Sequence, residues 1–329
     1  MSAARVFLRR RQRYRLEALV ELFRDASFDF LGKKWWFILP SLLLIVAGLA
    51  SIVARRGLMY SIDFNGGAEM QVHWNGSPHV KQIRAAVASV LKGASVVQAR
   101  DANGGNTIII STELPKGQDP ADLRKVLEHS LSVFGSQYSV RSFEVIGPQI
   151  SNDMRHQALV ATAAASAGML IYLSYRFRPA YGVAAVIAMA HDAVITVGLL
   201  SLFHEQISLT VVAALLTLIG YSMNDTIVVF DRIRENRRLN AHEPLNQLIN
   251  RSINQTLSRT VLTSGLTLLS ALSLLVFGGP VLHGFSLSLV IGIVVGTFSS
   301  VFIASPIMLA WERRCSGSVQ YSLQSRGGR

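Results

Sequence analysis

Six apolar runs, at approximately 35–54, 157–175, 180–202, 208–230, 257–277 and 285–310, constrain this chain more than anything else in it. Each is close to the ~20 residues that a helix needs to cross ~30 Å of hydrocarbon. Lipid offers no partner to a free backbone N–H or C=O, so runs of this length predict transmembrane helices. Half of the 329 residues are hydrophobic and the mean hydropathy is positive, together too apolar for an ordinary soluble domain.

The formal net charge is +12. Such a balance suits nucleic acid, anionic lipid or membrane topology. The basic residues lie mostly in short segments beside the apolar runs, and no RNA-binding signature is present, so topology is the reading and no nucleic acid is expected. Arg5, Arg9, Arg10, Arg11, Arg13, Arg15, Arg24, Lys33 and Lys34 precede the first run. Arg176 and Arg178 separate runs two and three; Arg232, Arg234, Arg237, Arg238 and Arg251 separate runs four and five; Arg313 and Arg314 follow run six. Six spans put all four segments on one side, which the positive-inside rule makes cytoplasmic. The loops 203–207 and 278–284 lack Lys and Arg and fall outside, with Arg55 and Arg56 as the exception to the rule.

The expected organisation is a basic cytoplasmic tail (1–34), a first span (35–54), an extracytoplasmic domain (55–156), spans two to six (157–311) and a cytoplasmic C-terminal tail (312–329). The localisation expected is a bacterial inner membrane. The first run is too long for a signal peptide and lacks a convincing cleavage site, so it reads as an uncleaved span. The polar insert 231–256 reads either as a short amphipathic helix at the membrane face or as a solvated connector. The basic tail either lies on anionic lipid or is disordered. Cys315 is the only cysteine, so no internal disulfide can form, and no Cys/His spacing suggests a metal site. No cofactor is expected.

The outer segment has the charge balance of a soluble domain. Ala68–Trp74, Ser95–Arg100, Thr107–Thr112 and Val140–Ile146 read as strands. Ser77-Pro78 is expected to open a helix to about Leu91, and Asp119-Pro120 another to about Phe134. Asn103-Gly104-Gly105 marks a hairpin turn. The order is βαββαβ, a ferredoxin-like unit.

Charges inside a span cost ~2.5–3.5 kcal/mol each at a helix centre on insertion scales, so they are the candidate functional groups. Asp225 lies in the fourth run, with Tyr221, Asn224 and Val228 expected on its face. It reads as a proton carrier or as a fixed polar link between helices. Arg259, near the inner end of the fifth run, either pairs with Asp225 or snorkels to the headgroups. Thr256, Thr260, Thr263 and Thr267 continue its polar stripe. His191 and Asp192 sit near the middle of the third run, as a relay or as a packing bond. Gly284, Ser288, Gly292, Gly296, Ser300 and Ala304 recur every four residues along the sixth run and predict close helix packing.

Several stretches together resemble the SecD/SecF family, on its SecF side. They are Ile62-Asp63-Phe64-Asn65-Gly66-Gly67, Val145-Ile146-Gly147-Pro148, Ala190-His191-Asp192, the run from Gly220 through Asp225 to Asp231-Arg232-Ile233-Arg234-Glu235-Asn236, Gln255–Thr260 and Phe277–Pro280. The resemblance covers roughly residues 30–311. Ser61, Asn65, Ser151 and Asp153 depart mildly from the usual pattern. The resemblance implies six transmembrane helices forming half of a resistance-nodulation-division (RND) type transporter, with the ferredoxin-like domain between helices one and two. It implies a non-enzymatic accessory subunit that uses the proton motive force with SecD, beside SecYEG, to move a preprotein after or alongside SecA. YajC, YidC and membrane lipids are the further partners expected. Asp225, Arg259, Asp192, Asn224 and His191 would form the proton path, and Asp63, Gly66, Gly67, Gly220, Asp231 and Arg232 are motif residues. The alternative is an RND-type small-molecule or lipid exporter subunit.

Overall fold

The computed structural model describes residues 27–91, 94–100, 106–112, 120–177, 179–240 and 242–314. The arginines from Arg5 to Arg24, the Asn103–Gly105 turn, Asp119, Arg178 and Cys315 lie outside the described residues. Among the described residues, six helices are long and apolar enough to cross a membrane. They are α1 (Lys34–Ala54), α5 (Pro148–Arg176), α6 (Pro179–Leu202), α7 (Leu209–Leu239), α8 (Leu245–Phe277) and α9 (Gly279–Ser299). Beyond α9 a π turn, Ser300–Ala304, leads into further helix up to residue 314.

Three of these helices start or end away from the apolar runs. Pro148 sits in the first turn of α5, where its missing N–H costs nothing, and the helix therefore starts well before the second run. The insert 231–256 holds no separate helix, because α7 and α8 extend into it and only residues 240–244 connect them. Asn236 Nδ2 donates to Ser252 Oγ and to Gln255 Oε1, both at 2.8 Å, which ties the two extensions together. Pro244, with φ −55° and ψ 130°, fixes the start of α8.

The centre of the bundle is α6, α7 and α9, whereas α1, α5 and α8 keep most of their apolar surface exposed. The small-residue ridge of α9 lies along α7. A Cβ on Gly292 would stand 2.1 Å from Leu218 Cδ1, and one on Gly296 would stand 2.8 Å from Ser222 Cβ. Glycine at these positions lets the two helices approach closely, as the four-residue spacing predicts.

The domain between α1 and α5, called the outer domain after its expected side of the membrane, is a four-stranded sheet in the order β2-β3-β1-β4, with antiparallel neighbours. The strands are β1 (Gly67–Trp74), β2 (Ser95–Arg100), β3 (Asn106–Thr112) and β4 (Tyr138–Ile146). Helices α3 (Val80–Val90) and α4 (Pro120–Leu131) cover one face. Alternate β1 residues Met70, Val72 and Trp74 are buried against Ile83, Val87, Leu123 and Leu127. Each fully buried side chain of this size contributes about 1.5–3 kcal/mol. This is the expected βαββαβ unit, with shifted helix ends. Ser77 precedes a proline, which disfavours helical backbone, and His79 has ψ 78°, so α3 opens at Val80. After Leu131 the chain tightens into a 3-10 segment, Ser132–Gln137.

The domain joins the bundle through the central strand β1 and its neighbour, the edge strand β4. A short helix, α2 (Ile62–Asn65), leads into β1, and β4 leads directly into α5. Gly66 (φ +70°) and Gly67 (φ +133°) occupy left-handed backbone that other residues avoid, and a Cβ on Gly66 would stand 3.3 Å from Ile146 O and from Ser151 Oγ. The linker then pairs with the loop between α6 and α7, since Ser61 N donates to Ile207 O at 3.0 Å and Ile207 N donates to Met59 O at 2.6 Å.

Candidate functional site

Two carboxylates are buried in the middle of the bundle. Asp225 is 2% exposed and Asp192 is 7% exposed. Asp225 lies near the middle of α7, in the stretch where an apolar helix meets hydrocarbon. Its Oδ2 accepts a hydrogen bond from Ser264 Oγ of α8 at 2.9 Å. Arg259 lies five residues earlier on α8. Ser264 is thus the group on the Asp225 carboxylate, and among the described residues Arg259, read either as pairing with Asp225 or as snorkelling, makes no ion pair with it.

Asp192 is held from three directions. Ser222 Oγ of α7 donates to its Oδ2 at 2.5 Å, and Ser299 Oγ of α9 donates to the same oxygen at 2.7 Å. His191 Nδ1 lies 2.9 Å from Oδ1, and His191 Nε2 in turn meets Ser41 Oγ of α1. Consecutive helix residues point about 100° apart, but the two side chains fold back onto one another. Ser222 and Asp225 are three apart on α7 and share a face. A polar file thus crosses the bundle from Ser41 through His191, Asp192 and Ser222 to the neighbourhood of Asp225 and Ser264.

Asn224 is not part of this file. It is exposed on the outer surface of α7, since its neighbour Asp225 turns inward. The threonine stripe of α8 mostly serves its own helix: Thr256, Thr263 and Thr267 donate to carbonyls three or four residues back. Thr260 Oγ1 and Tyr221 Oη are buried without a hydrogen-bond partner among the described residues. Ser41, Ser264 and Ser299 went unremarked in the sequence, because serine is ordinary in membrane helices and nothing in its spacing names a neighbour on another helix.

The motif residues do structural work at the two ends of α7. At the outer end, Asp63 Oδ2 accepts the Leu209 backbone N–H at 2.8 Å, adding an acidic cap to the helix that Ser208 already caps. Gly66 and Gly67 make the turn into β1 described above. Gly220 has open space beside it. At the inner end, Asp231 pairs with Arg176 at 3.1 Å, and Arg232 bonds Gln255 at 2.7 Å and Glu235 at 2.6 Å.

The uncovered face of the sheet roofs a cavity of about 260 Å³ over the outer ends of α7 and α9, lined by Asp63, Glu69, Glu144 and Glu205 among others. Burial pushes the Glu69 carboxyl above its ordinary range, and hydrogen bonds from Gln71 and Ser111 only partly offset this. No group of three or more His, Cys, Asp or Glu side chains among the described residues could hold a metal ion.

Residues 126–314 match the family described as "Protein export membrane protein SecD/SecF, C-terminal". The chain belongs to the SecD/SecF family. It is 41% identical to protein translocase subunit SecF of Koribacter versatilis, over 89% of this chain and 94% of that protein. It is 35% identical to the Escherichia coli O157:H7 SecF, over 91% and 93%. The crystal structure of SecDF from Thermus thermophilus superposes with a TM-score of 0.77 at 37% identity, covering 88% of this chain and 39% of that longer one. The chain therefore spans nearly all of its SecF relatives and about two-fifths of SecDF, in keeping with the six-helix half-transporter and its small outer domain.

Proposed function

We propose that this protein is an accessory subunit of the bacterial Sec export machinery, and that Asp225 carries the proton whose movement it converts into work on a preprotein. Its curated relatives are translocase subunits, which supports the export role over the exporter alternative. The observation that carries the coupling reading is the setting of Asp225: a carboxyl group, 2% exposed, near the middle of a long apolar helix, with a serine hydroxyl of α8 on it. Gain or loss of a proton there changes the charge balance between α7 and α8, and so the preferred packing of the two helices. One proton crossing supplies ~2.3 kcal/mol per 100 mV, enough for a few protons to bias a domain motion. Asp192 and His191 act as positioning residues, since their bonds reach α1, α7 and α9 together.

The SecDF chain is more than twice the matched length, which supports SecD as the partner that completes the transporter. SecYEG, YajC, YidC and the preprotein itself are further proposed partners. The inner membrane, with both termini cytoplasmic, is the proposed location, supported by the arginines gathered at one end of the spans.

The test is Asp225→Asn, co-reconstituted with SecD and SecYEG in vesicles that carry an imposed pH gradient. ATP-driven initiation of translocation should persist, and the gradient-dependent stimulation of its completion should vanish. Stimulation equal to wild type would remove Asp225 from the coupling path.

A further inference from the structure

The inner end of the bundle contains a second cavity, of about 490 Å³, separate from the buried carboxylates. Its floor is aromatic. Phe177 and Tyr181 are buried and stacked with ring centroids 6.2 Å apart, and Tyr181 meets Phe230 edge-on at 5.2 Å. Its walls carry Arg176 from the end of α5 and Arg234, Arg237 and Arg238 from the end of α7. Arg176 pairs with Asp231 at 3.1 Å, and Arg237 pairs with Glu312. Arg234 and Arg238 have no carboxylate partner among the described residues. Four guanidiniums against two carboxylates leave two positive charges unmatched in a partly closed, aromatic-floored hollow.

We infer that this cavity binds a phosphate group, presented by the headgroup of an anionic phospholipid of the adjacent leaflet. Guanidinium forks match phosphate oxygens in geometry and charge, and a low-dielectric floor strengthens that attraction. Depth favours a lipid over a free ion. Arg234 lies 25 residues beyond Leu209, or about 38 Å along the helix, which clears the ~30 Å hydrocarbon layer and reaches headgroup level. Tyr175, 92% exposed beside the mouth, is the amphipathic residue type found at that level. The volume also exceeds what a bare phosphate ion needs. Arg234 lies within the Asp231–Asn236 motif, so the proposal gives part of that stretch a ligand-binding task independent of Asp225.

Native mass spectrometry of the full chain, released from nanodiscs of mixed phosphatidylglycerol and phosphatidylethanolamine, tests this directly. Wild type should retain phosphatidylglycerol in preference to phosphatidylethanolamine. Arg234→Gln with Arg238→Gln should weaken that retention about ten-fold, the value of one charge-assisted hydrogen bond. Arg232→Gln should change nothing, because that guanidinium points to Gln255 and Glu235. Arg234→Lys with Arg238→Lys, which keeps the charge and the fold, should restore part of the retention. Equal retention by wild type and the glutamine variant, or no preference between the two lipids, overturns the proposal. Displacement of the lipid by millimolar inorganic phosphate overturns the lipid source and assigns the cavity to a soluble phosphate.

Discussion

Gly48→Ala tests how α1 is held on the bundle. Helices α1 and α6 run parallel with a constant offset of 150 residues, since Ser41 meets His191 and Ser51 Oγ meets Ser201 Oγ at 3.1 Å. Between those bonds Gly48 faces Gly198, and a Cβ on Gly48 would stand 2.6 Å from Gly198 Cα and 3.1 Å from its carbonyl carbon. Both obstacles are backbone, so no rotamer change relieves them. Restoring ordinary contact needs a helix shift of roughly 0.8 Å. Overpacking of this kind costs about 1–3 kcal/mol. The shift also loosens two interhelical hydrogen bonds, each worth about 0.6 kcal/mol in a membrane bundle. The expected loss is about 2–4 kcal/mol, read as a shifted midpoint in an SDS titration of the reconstituted protein. Gly168→Ala on α5 is the control, because nothing lies within 4 Å of its added carbon. If both variants unfold at the same midpoint, close backbone packing is not what holds α1.

Two further substitutions probe the outer domain. Asp63→Ala should lower hydrogen-exchange protection at the Leu209 amide by about 0.5–2 kcal/mol, the usual worth of a helix cap, and unchanged exchange there would count against the cap. Burial holds the Glu69 proton more tightly in the folded domain than in the unfolded chain, so its stabilising contribution is complete in acid and is lost as pH rises through the folded-state value. Glu69→Gln should therefore raise the neutral-pH melting temperature, followed through Trp74 fluorescence, and should flatten its dependence on acid pH; a lower melting temperature at pH 7 would refute this.

Much of this architecture was readable from residue order. The six spans follow from run length alone, and the outer fold follows from strand and turn signals, because both rest on local periodicity. Asp225, Asp192 and Arg259 were legible because charge in an apolar run is rare and expensive. Their partners were not. Ser264 and Ser299 reach these carboxylates only through contacts 39 and 107 residues away in sequence, which no spacing rule encodes. Asn224 shows the converse limit, since one residue's step around a helix separates the surface from the buried file. The insert 231–256 was ambiguous because its polar composition suits a solvated loop, and only Asn236, Ser252 and Gln255 together make it the meeting of two long helices.

The placement of α7 gives these details a common mechanical basis. Its 31 residues contain no proline, and at ~1.5 Å per residue the helix is about 46 Å long, so it behaves as one rod. Asp63 from the root of the outer domain holds its first turn, Ser222 and Asp225 sit along its middle, and Arg234 and Arg238 line the cavity at its end. Its neighbour α9 is different: the π turn at Ser300–Ala304 begins immediately after Ser299, the residue that holds Asp192. A π turn interrupts the regular hydrogen-bond ladder of a helix, and such turns are frequent at functional sites. Rotation or sliding of α7 must be felt at the outer domain, whereas α9 has a joint beside the carboxylate that can absorb it. On the proposed function, a rigid rod against a jointed one is the arrangement through which a change of charge at Asp225 would reach the outer domain.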